Sequence, residues 1–352
     1  KPSGVWIMAY TNIDNPELFF QTKIYAGNST ARSITFDGSE NMQPDWVWIK
    51  ERDDAINHYC YDSVRGVDKR LQQNISNAED TTDTTWFRSF DTNGFTIGTE
   101  DNINDTGDNY VAWCWKAGGS ASSNSDGSIS SSVSANTTAG FSIVSWSGSG
   151  ANATIGHGLG AEPKIIFLKI RTGTNNWQVY SKSIGSGNAL FLNTTDASGS
   201  NTGWQSTDAT SSVFYVSGGT AVNGSGQDLI AYCFAEKKGY SKIGSYIANG
   251  NADGAFVYTG FRPSFILIKG TAATRSWNIT DNKRLSFNNG NKVLFPDSSA
   301  AEYSGYDMDL LSNGFKIRGT ESSINYSGDT YVYVAFAESP FVNSNGIPNN
   351  AR

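Results

Sequence analysis

The side chains that could do catalytic chemistry are few in this sequence and widely spaced. Only two histidines occur, His58 and His157, and neither has the histidine or cysteine spacing of a metal site. The Gly-x-Ser-x-Gly turn that presents the nucleophile of many serine hydrolases is absent. We therefore interpret both histidines as ordinary turn or surface residues. We expect a protein that is not an enzyme and that holds neither a metal nor a cofactor.

Acidic residues offer two further possibilities. Glycoside hydrolysis needs two carboxylates across a cleft, but Glu51-Arg-Asp53, the closest match to the strand motif of sandwich glucanases, is not completed by a second glutamate. A denser acidic group has the oxygen ligands that Ca²⁺ prefers and comprises Glu100, Asp101, Asp105 and Asp108. A related segment later in the chain has Gln227 in place of Asp108. We therefore favour a solvated hairpin tip over a calcium site.

Tryptophans are the candidate ligand or partner contacts. Trp86 and Trp204 lie in Thr- and Ser-rich stretches without counterparts elsewhere in the chain, as expected of loop residues that meet a partner. Trp177 and Trp277 recur at equivalent positions, and repeated positions usually serve repeated cores. We therefore expect Trp177 and Trp277 to be buried within their own modules, with sugar stacking as the less favoured alternative. Trp86 and Trp204 should be markedly more exposed.

These residues must be positioned by a sequence that repeats three times. An apolar run that begins with Pro and ends with Lys occurs at residues 44–50 (PDWVWIK), 163–169 (PKIIFLK) and 263–269 (PSFILIK). A closing block occurs at residues 107–115 (GDNYVAWCW), 226–234 (GQDLIAYCF) and 328–336 (GDTYVYVAF). A repeat of this length indicates a duplicated domain rather than a small solenoid unit.

The repeated blocks predict strands. The Pro-to-Lys runs are typical of strands buried on both faces. In the closing block of the second copy, small and bulky residues alternate, as the central strand of a sandwich requires. Asn93-Gly94 and Asn313-Gly314 predict hairpin turns, while residues 68–78 are compatible with one or two helical turns. The predicted fold class is all-β, with three tandem β-sandwich modules of a lectin-like or jelly-roll-like kind.

The repeats also set the predicted boundaries. We expect a first module at 1–119, a second at 140–239, a third at 240–342 and an extended tail at 343–352, while 120–139 is either a Ser/Gly-rich linker or a thin hairpin. Cys114 and Cys233 are equivalent, and Ala335 replaces them in the third copy. Together with Cys60, they are predicted to be buried free thiols.

The composition excludes two classes of partner. The net charge is -7 and the isoelectric point is about 4.9, which disfavours nucleic acid because phosphate binding needs clustered Lys and Arg. No apolar run approaches the ~18 residues that span a bilayer, so we expect no membrane insertion. Because residue 1 is Lys rather than Met, we expect the natural start to lie upstream.

Several strings resemble proteins of tailed bacteriophages that infect marine bacteria. They are residues 44–50 (PDWVWIK), 62–66 (DSVRG), 110–119 (YVAWCWKAGG), 156–160 (GHGLG) and 258–263 (YTGFRP). The proteins they resemble are repeat proteins described as tail-fibre-like, SPRY-like or of unknown function. The resemblance spans most of the chain and implies a component of the virion surface, and it brings no catalytic residue with it.

We therefore expect a structural component of a phage particle, in a tail fibre, tail tip or outer decoration, that contributes to host attachment. Stacked β modules would give it the form of a stiff rod. The expected partners are other virion proteins, a host-surface glycan and further copies of the chain, with a trimer favoured. Contacts would use the segments in which the repeats differ most, namely 81–88, 198–210 and 298–306. The alternatives are a carbohydrate-binding adhesin of a phage or bacterial surface and, third, a glycan-cleaving enzyme.

Overall fold

The computed structural model of the chain describes residues 10–82, 85–284, 288 and 290–348. Within them, β-strands dominate, and the three α-helices have four residues each: α1 (Asp101–Asn104), α2 (Thr220–Asn223) and α3 (Ser322–Asn325). Two 3₁₀ turns lie at Pro16–Leu18 and Lys182–Ile184. The predicted all-β fold is confirmed. None of the described helices is both long enough and apolar enough to span a bilayer.

Eight strands form the first module. They are β1 (Phe20–Ala26), β2 (Arg32–Thr35), β3 (Trp46–Glu51), β4 (Tyr59–Asp62), β5 (Gly66–Gln72), β6 (Phe87–Asp91), β7 (Gly94–Ile97) and β8 (Asn109–Trp115). The inner sheet has the order β1-β8-β3-β4-β5 and the outer sheet the order β2-β7-β6. The suggested helix at 68–78 is wrong, because β5 extends the inner sheet there, and pairing along a sheet edge overrides a weak helical pattern.

Ten strands form the second module. They are β9 (Ser122–Asn124), β10 (Ser131–Asn136), β11 (Phe141–Ser147), β12 (Ala153–Gly156), β13 (Pro163–Ile170), β14 (Gln178–Ser181), β15 (Asn188–Phe191), β16 (Gly199–Ser200), β17 (Val213–Val216) and β18 (Asp228–Ala235). The inner sheet has the order β16-β15-β14-β13-β18-β11-β10-β9, and β12 pairs with β17 outside it. Segment 120–139 thus forms a hairpin rather than a free linker, since β9 pairs with β10 and β10 with β11.

Eight strands form the third module. They are β19 (Ser241–Ile247), β20 (Phe256–Tyr258), β21 (Phe261–Gly270), β22 (Trp277–Asp281), β23 (Gly290–Val293), β24 (Tyr303–Leu311), β25 (Gly314–Ile317) and β26 (Thr330–Pro340). The inner sheet has the order β19-β26-β21-β22 and the outer sheet the order β20-β25-β24-β23. The segment after it is not the expected extended tail, because Asn343 N donates to Ile347 O at 3.0 Å and closes a turn. Residues 349–352 lie outside the described residues.

The three inner sheets share one strand order. β1-β8-β3-β4 corresponds to β11-β18-β13-β14 and to β19-β26-β21-β22. Ile166 and Ile266 lie on the equivalent strands β13 and β21, as the repeat predicts. Both predicted Asn-Gly hairpins also occur, between β6 and β7 and between β24 and β25.

The bulky faces of the three inner sheets meet in one common core. Trp113 and Trp115 of β8 belong to it together with Tyr232 and Phe234 of β18 and Phe336 of β26. The opposite faces of the same strands point into a separate core on the other side of each inner sheet. These faces carry small residues such as Cys114 and Cys233 in the first two modules, but Tyr331 and Tyr333 in the third. The inner sheet of each module is therefore buried on both faces. One face is covered by the module's own strands, and the other packs against the neighbouring modules.

An approximate threefold axis passes through this common core. Trp115, Phe234 and Phe336 occupy equivalent positions, and their ring centroids are 6.2 Å (Trp115–Phe234), 5.8 Å (Trp115–Phe336) and 5.6 Å (Phe234–Phe336) apart. Three equivalent rings thus form a nearly equilateral triangle. The expected rod of stacked modules is wrong: the modules surround a shared axis, because each has a bulky apolar face that only its neighbours can cover.

Equivalent indoles join one module to the preceding one. Trp177 Nε1 donates to Gln72 O of the first module at 2.8 Å, and Trp277 Nε1 donates to Phe191 O of the second module at 2.8 Å. Both tryptophans are buried, as predicted. Their indole partners, however, lie in the neighbouring modules, contrary to the expectation that each is packed within its own.

Each repeated run ends in a buried lysine, and two of these lysines bind across the same boundaries, whereas Lys50 donates to Glu51 O and Asp54 O of its own module. Lys169 Nζ donates across the boundary to Ser76 O at 3.1 Å, and Lys269 Nζ donates to Thr195 O at 2.8 Å. Burial lowers the pKa of all three equivalent side chains to about 8, namely Lys50, Lys169 and Lys269. The repeated lysine is therefore a structural cation that binds backbone carbonyls.

Two boundaries also carry ion pairs. Arg171 Nε and Nη2 bind Glu79 at 2.9 and 2.8 Å, and Arg52 Nε and Nη2 bind Glu302 at 3.0 and 2.9 Å. The first pair joins the second module to the first, and the second pair joins the first module to the third. Each glutamate also receives an arginine of its own module, Arg65 or Arg284.

The boundary between the second and third modules uses neutral groups at the same positions. Ser198 N donates to Thr271 O at 2.9 Å, where the other boundaries have Glu79 with Arg171 and Glu302 with Arg52. Segments 198–210 and 298–306, which were expected to meet other proteins, thus each contact a neighbouring module of the same chain. Part of the third segment, 83–84, lies outside the described residues.

Candidate functional site

The structure places both predicted contact tryptophans in the core. Trp86 is 7% exposed and Trp204 is 1% exposed. The guanidinium of Arg70 lies 3.6 Å from the Trp86 ring centroid, and Tyr59 and Tyr180 pack edge-on against Trp86 and Trp204 at 5.2 and 5.7 Å. The expectation that these two are exposed contacts is wrong. A polar sequence around an indole does not prevent the chain from folding that indole back over the sheet, where its large apolar area is buried.

The two histidines are also fully buried. Trp48 Nε1 donates to His58 Nδ1 at 2.9 Å, while His157 Nδ1 accepts from Leu159 N at 3.2 Å and its Nε2 lies 3.2 Å from Thr210 O. Burial lowers the pKa of both imidazoles. They are neutral hydrogen-bonding groups in segments between strands, where a turn residue was one of our two expectations, but neither lies at the surface.

A carboxylate cluster forms at the end of the first module where β3 finishes. Glu51, Asp54 and Asp108 each place an oxygen within 4.8 Å of the others, so Asp108 joins residues outside the acidic group picked out in the sequence. Burial raises the pKa of Glu51, and burial together with neighbouring carboxylates raises that of Asp108. Oxygen ligands of this kind suit a hard divalent cation. The second module has Ile170, Gly173 and Gln227 at these positions, so the cluster is not part of the repeat.

A groove lies at the opposite end of the molecule, where β8 and β18 finish, and we call it the basal groove. It consists of three adjoining cavities of about 370, 410 and 550 Å³. Thr137 lines the first and second cavities, while Tyr10 and Lys238 line the second and third. The groove therefore extends from the first module across the second to the third.

A turn after β18 shapes the centre of the basal groove. Tyr240 N and Ser241 N donate to Lys237 O at 2.9 and 2.8 Å, which reverses the chain directly after Lys237 and Lys238. Gly239 has φ +79, and a Cβ there would lie 2.7 Å from the side chain of Thr11, so this turn requires glycine. The two lysines are held at the groove by the tight return into β19.

Cations outnumber carboxylates along the basal groove. The lining includes five lysines (Lys116, Lys164, Lys237, Lys238 and Lys242) against Asp45 and Glu236. Lys164 pairs with Glu162 at 2.6 Å, and Lys242 pairs with Glu236. Asp45 is 2% exposed and accepts a hydrogen bond from Ser63 Oγ at 2.8 Å.

Three of these lysines form no ion pair in the part of the chain that the structure describes, although the charge of Lys116 acts on the nearby Asp45 carboxyl. No described carboxylate lies within 4.0 Å of Lys116, Lys237 or Lys238. Lys238 Nζ lies 4.3 Å from the ring centroid of Tyr10, whose hydroxyl is 3.0 Å from that of Tyr258. Burial lowers the pKa of Lys237. The centre of the groove thus combines unpaired cations with two tyrosines.

Comparison with known protein families gives one match. A family described as a domain of unknown function, DUF7483, matches residues 15–340. The chain belongs to the DUF7483 family. No curated protein and no solved structure matches it. The three modules around the shared axis are called the ring below. Because a single family description spans all three modules, DUF7483 corresponds to the whole ring rather than to one repeat.

The sequence of this DUF7483 protein contains a signal for the basal groove that the search for catalytic and aromatic residues missed. Lys237 and Lys238 follow a repeated strand, but the first module has Gly118 and Gly119 at these positions and the third has Ser339 and Pro340. A charged pair that interrupts an internal repeat is not needed for the repeated core. Such a departure is a reasonable marker of function.

Proposed function

We propose that this DUF7483 protein is a structural component of a bacteriophage virion surface, in a tail fibre, tail tip or decoration, and that it contributes to host attachment. The proposal combines the sequence resemblance with one structural observation, the triangle of Trp115, Phe234 and Phe336 around an approximate threefold axis. The three modules around this axis form a ring of similar parts on one shared core. A single chain of this form can occupy a threefold axis of a particle.

The experiment that tests this proposal is to locate the protein in intact particles. Particles of a phage that encodes the chain are purified on a density gradient. Their proteins are identified by peptide mass spectrometry, and intact particles are labelled with an antibody against this protein. We expect the protein in purified particles, with the label at the tail or the outer surface. Its absence from particles that retain full infectivity would exclude a structural role in the virion.

The proposed partners are other virion proteins and further copies of the chain, with a trimer as the proposed oligomer. Light scattering on the purified protein distinguishes a species of three times 38.0 kDa from a monomer. A monomer in solution and a threefold position in the particle would mean that the ring itself supplies the symmetry.

The basal groove favours a second candidate, a carbohydrate-binding adhesin. Its tyrosines, hydroxyl groups and unpaired lysines are the groups that fix polar ligands in open clefts. The two candidates are compatible, because a virion component can also bind the host. The acidic groups of the groove are already engaged, Asp45 by Ser63 and Glu236 by Lys242, so we propose binding rather than glycan cleavage.

A further inference from the structure

The basal groove is basic although the protein as a whole is acidic. The protein as a whole carries a net charge of -7, yet the groove lining has five lysines against two carboxylates. The excess is concentrated at Lys237 and Lys238, where a turn fixed by Gly239 holds two adjacent cations. Both lysines line the same cavity of about 410 Å³, so an anion bound there would be attracted by both.

Lys237 is the more constrained of the two cations. Its Cε and Cγ lie 2.9 and 3.0 Å from the position that a Cβ on Gly140 would occupy, so the stem packs closely against the chain entering β11. The ammonium is only partly solvated, and no described carboxylate is paired with it. A partly buried cation without a counterion forms charge-assisted hydrogen bonds that are stronger than those of a free surface lysine.

The surroundings of the two lysines suit a sugar better than a bare ion. Tyr10 and Tyr258 line the groove beside them, and Tyr258 is 52% exposed. Hydroxyl groups of Thr137 and Thr138 line the adjacent wall. Tyrosine rings offer an apolar surface together with a polar tip. The volumes of the three cavities, about 370, 410 and 550 Å³, exceed what a single inorganic anion would fill.

We propose that the basal groove binds an acidic oligosaccharide, with Lys237 and Lys238 pairing with a carboxylate or sulfate group of the sugar. Tyr10 and Tyr258 flank the chain of sugar units, and Lys116 extends the basic surface toward the first module. This inference deepens the proposed attachment role by naming its ligand class, and its biological meaning rests on that role.

Titration calorimetry on the full chain tests the proposal. The probes are tetragalacturonate, a chondroitin sulfate tetrasaccharide, methyl-esterified tetragalacturonate as the neutral counterpart, and inorganic sulfate. We expect at least one acidic tetrasaccharide to bind and its affinity to fall as NaCl is raised from 50 to 500 mM, because salt screens the exposed charges. The neutral ester should bind at least about tenfold more weakly, as should sulfate, which lacks the sugar contacts.

Matched variants identify the groove as the binding surface. Lys237→Gln with Lys238→Gln should weaken binding roughly tenfold or more, since two charge-assisted contacts are lost. Lys69→Gln removes one positive charge from β5, outside the groove lining, and should leave the affinity unchanged. Circular dichroism checks that all variants fold. Absence of binding by both acidic tetrasaccharides, or equal binding by the double variant, would overturn the assignment, as would equal affinity for the neutral ester.

The two proposals fail separately. If the protein is found in purified particles but binds neither acidic tetrasaccharide, the proposed sugar site in the groove is refuted and the virion role is not. If the protein binds an acidic tetrasaccharide through Lys237 and Lys238 but is missing from particles, the virion role is refuted and the proposed sugar site is not.

Discussion

Buried lysines are the most informative residues of the repeat. Lys50, Lys169 and Lys269 are all 0% exposed, and a pKa of about 8 for each means that burial disfavours the ammonium by roughly 3 kcal/mol relative to water. Backbone carbonyls offset this cost. Lys169 donates to Ser76 O, to Ile170 O at 2.9 Å and to Gly173 O at 3.4 Å.

We predict that Lys169→Met destabilises the protein by about 2 kcal/mol or more at pH 7.5. The variant relieves the desolvation of the ammonium, but it leaves up to three carbonyl oxygens unpaired at about 1–3 kcal/mol each. Denaturant unfolding measures the loss, and Lys69→Met on β5 serves as the control that changes a lysine without breaking a boundary. A variant as stable as the wild type would show that the carbonyls find other donors.

The same lysine has a predicted pH signature. Its pKa is lower in the folded state than in the unfolded state, so the unfolded chain binds more protons and the stabilisation of the fold increases as pH rises from about 8 toward 10.5. Between pH 7.5 and 9.5 the wild type should therefore gain about 2 kcal/mol relative to Lys169→Met. Unfolding free energies measured at both pH values give this difference directly. Parallel pH profiles for the two proteins would contradict a depressed pKa.

Trp277 belongs to the core and should behave accordingly. Trp277→Ala is expected to lower the unfolding free energy by about 3–5 kcal/mol, because a buried indole is replaced by a cavity. Trp277→Phe keeps most of the apolar contact but removes the donor to Phe191 O, so it should cost about 1–3 kcal/mol. Chemical denaturation of both variants separates the two contributions. No loss in either would indicate that Trp277 faces a ligand instead.

At the level of elements, the boundaries differ in chemistry although the strands are equivalent. The first module is joined to each neighbour by a glutamate held by two arginines, whereas the second and third modules meet through Ser198 and Thr271. Desolvation opposes ionisation of Glu79 and Glu302, but the arginines outweigh it and lower the pKa of both carboxyls. The two ionic boundaries should therefore be the acid-sensitive ones.

The prediction for these elements concerns acid unfolding. A carboxyl with a lowered folded-state pKa contributes stability that is fully present above its unfolded pKa of about 4.5 and is lost as pH falls through the folded value. The double variant Glu79→Gln with Glu302→Gln should be less stable than the wild type at pH 7 and should lose less stability between pH 6 and pH 3. Thermal unfolding across that range checks it. Glu40→Gln, at an exposed loop carboxylate, is the matched control and should reproduce the wild-type slope.

At the level of the whole molecule, the three modules depend on one another for burial. Among the described residues, the face of each inner sheet that enters the common core packs against the other two sheets. The Trp46 ring, for example, stacks on Tyr232 at 4.2 Å across the boundary between the first and second modules. A single module removed from the ring would expose that entire face to water. Its unfolding therefore cannot be independent of its neighbours.

We predict a single cooperative unfolding transition for the chain and no stable fold for an isolated module. Tryptophan fluorescence and far-ultraviolet circular dichroism should report coincident denaturant transitions. A fragment of residues 140–239 should lack the dispersed amide spectrum of a folded domain. Separate transitions, or a folded fragment, would mean that the core within each module is enough to stabilise that module without the common core.

The sequence alone determined the parts of this protein that depend on local pattern. The repeat, the strands, the Asn-Gly hairpins and the three free cysteines follow from periodicity and from equivalent positions such as Cys114, Cys233 and Ala335. Alternation in the closing block of the second copy also separates a small face (Ala231, Cys233) from a bulky face (Tyr232, Phe234). A period of two assigns residues to faces, but it does not specify what covers a face.

Only the tertiary structure decided what lies against each face. The bulky faces cover one another around an axis, and this brings Arg52 to Glu302 across 250 residues and places Lys238 beside Tyr10. It also buries Trp86, which its polar neighbours in sequence had suggested would be exposed. Contacts between distant segments depend on how the ring closes, and no local propensity encodes that closure. The basal groove exists because the ends of strands from different modules meet there.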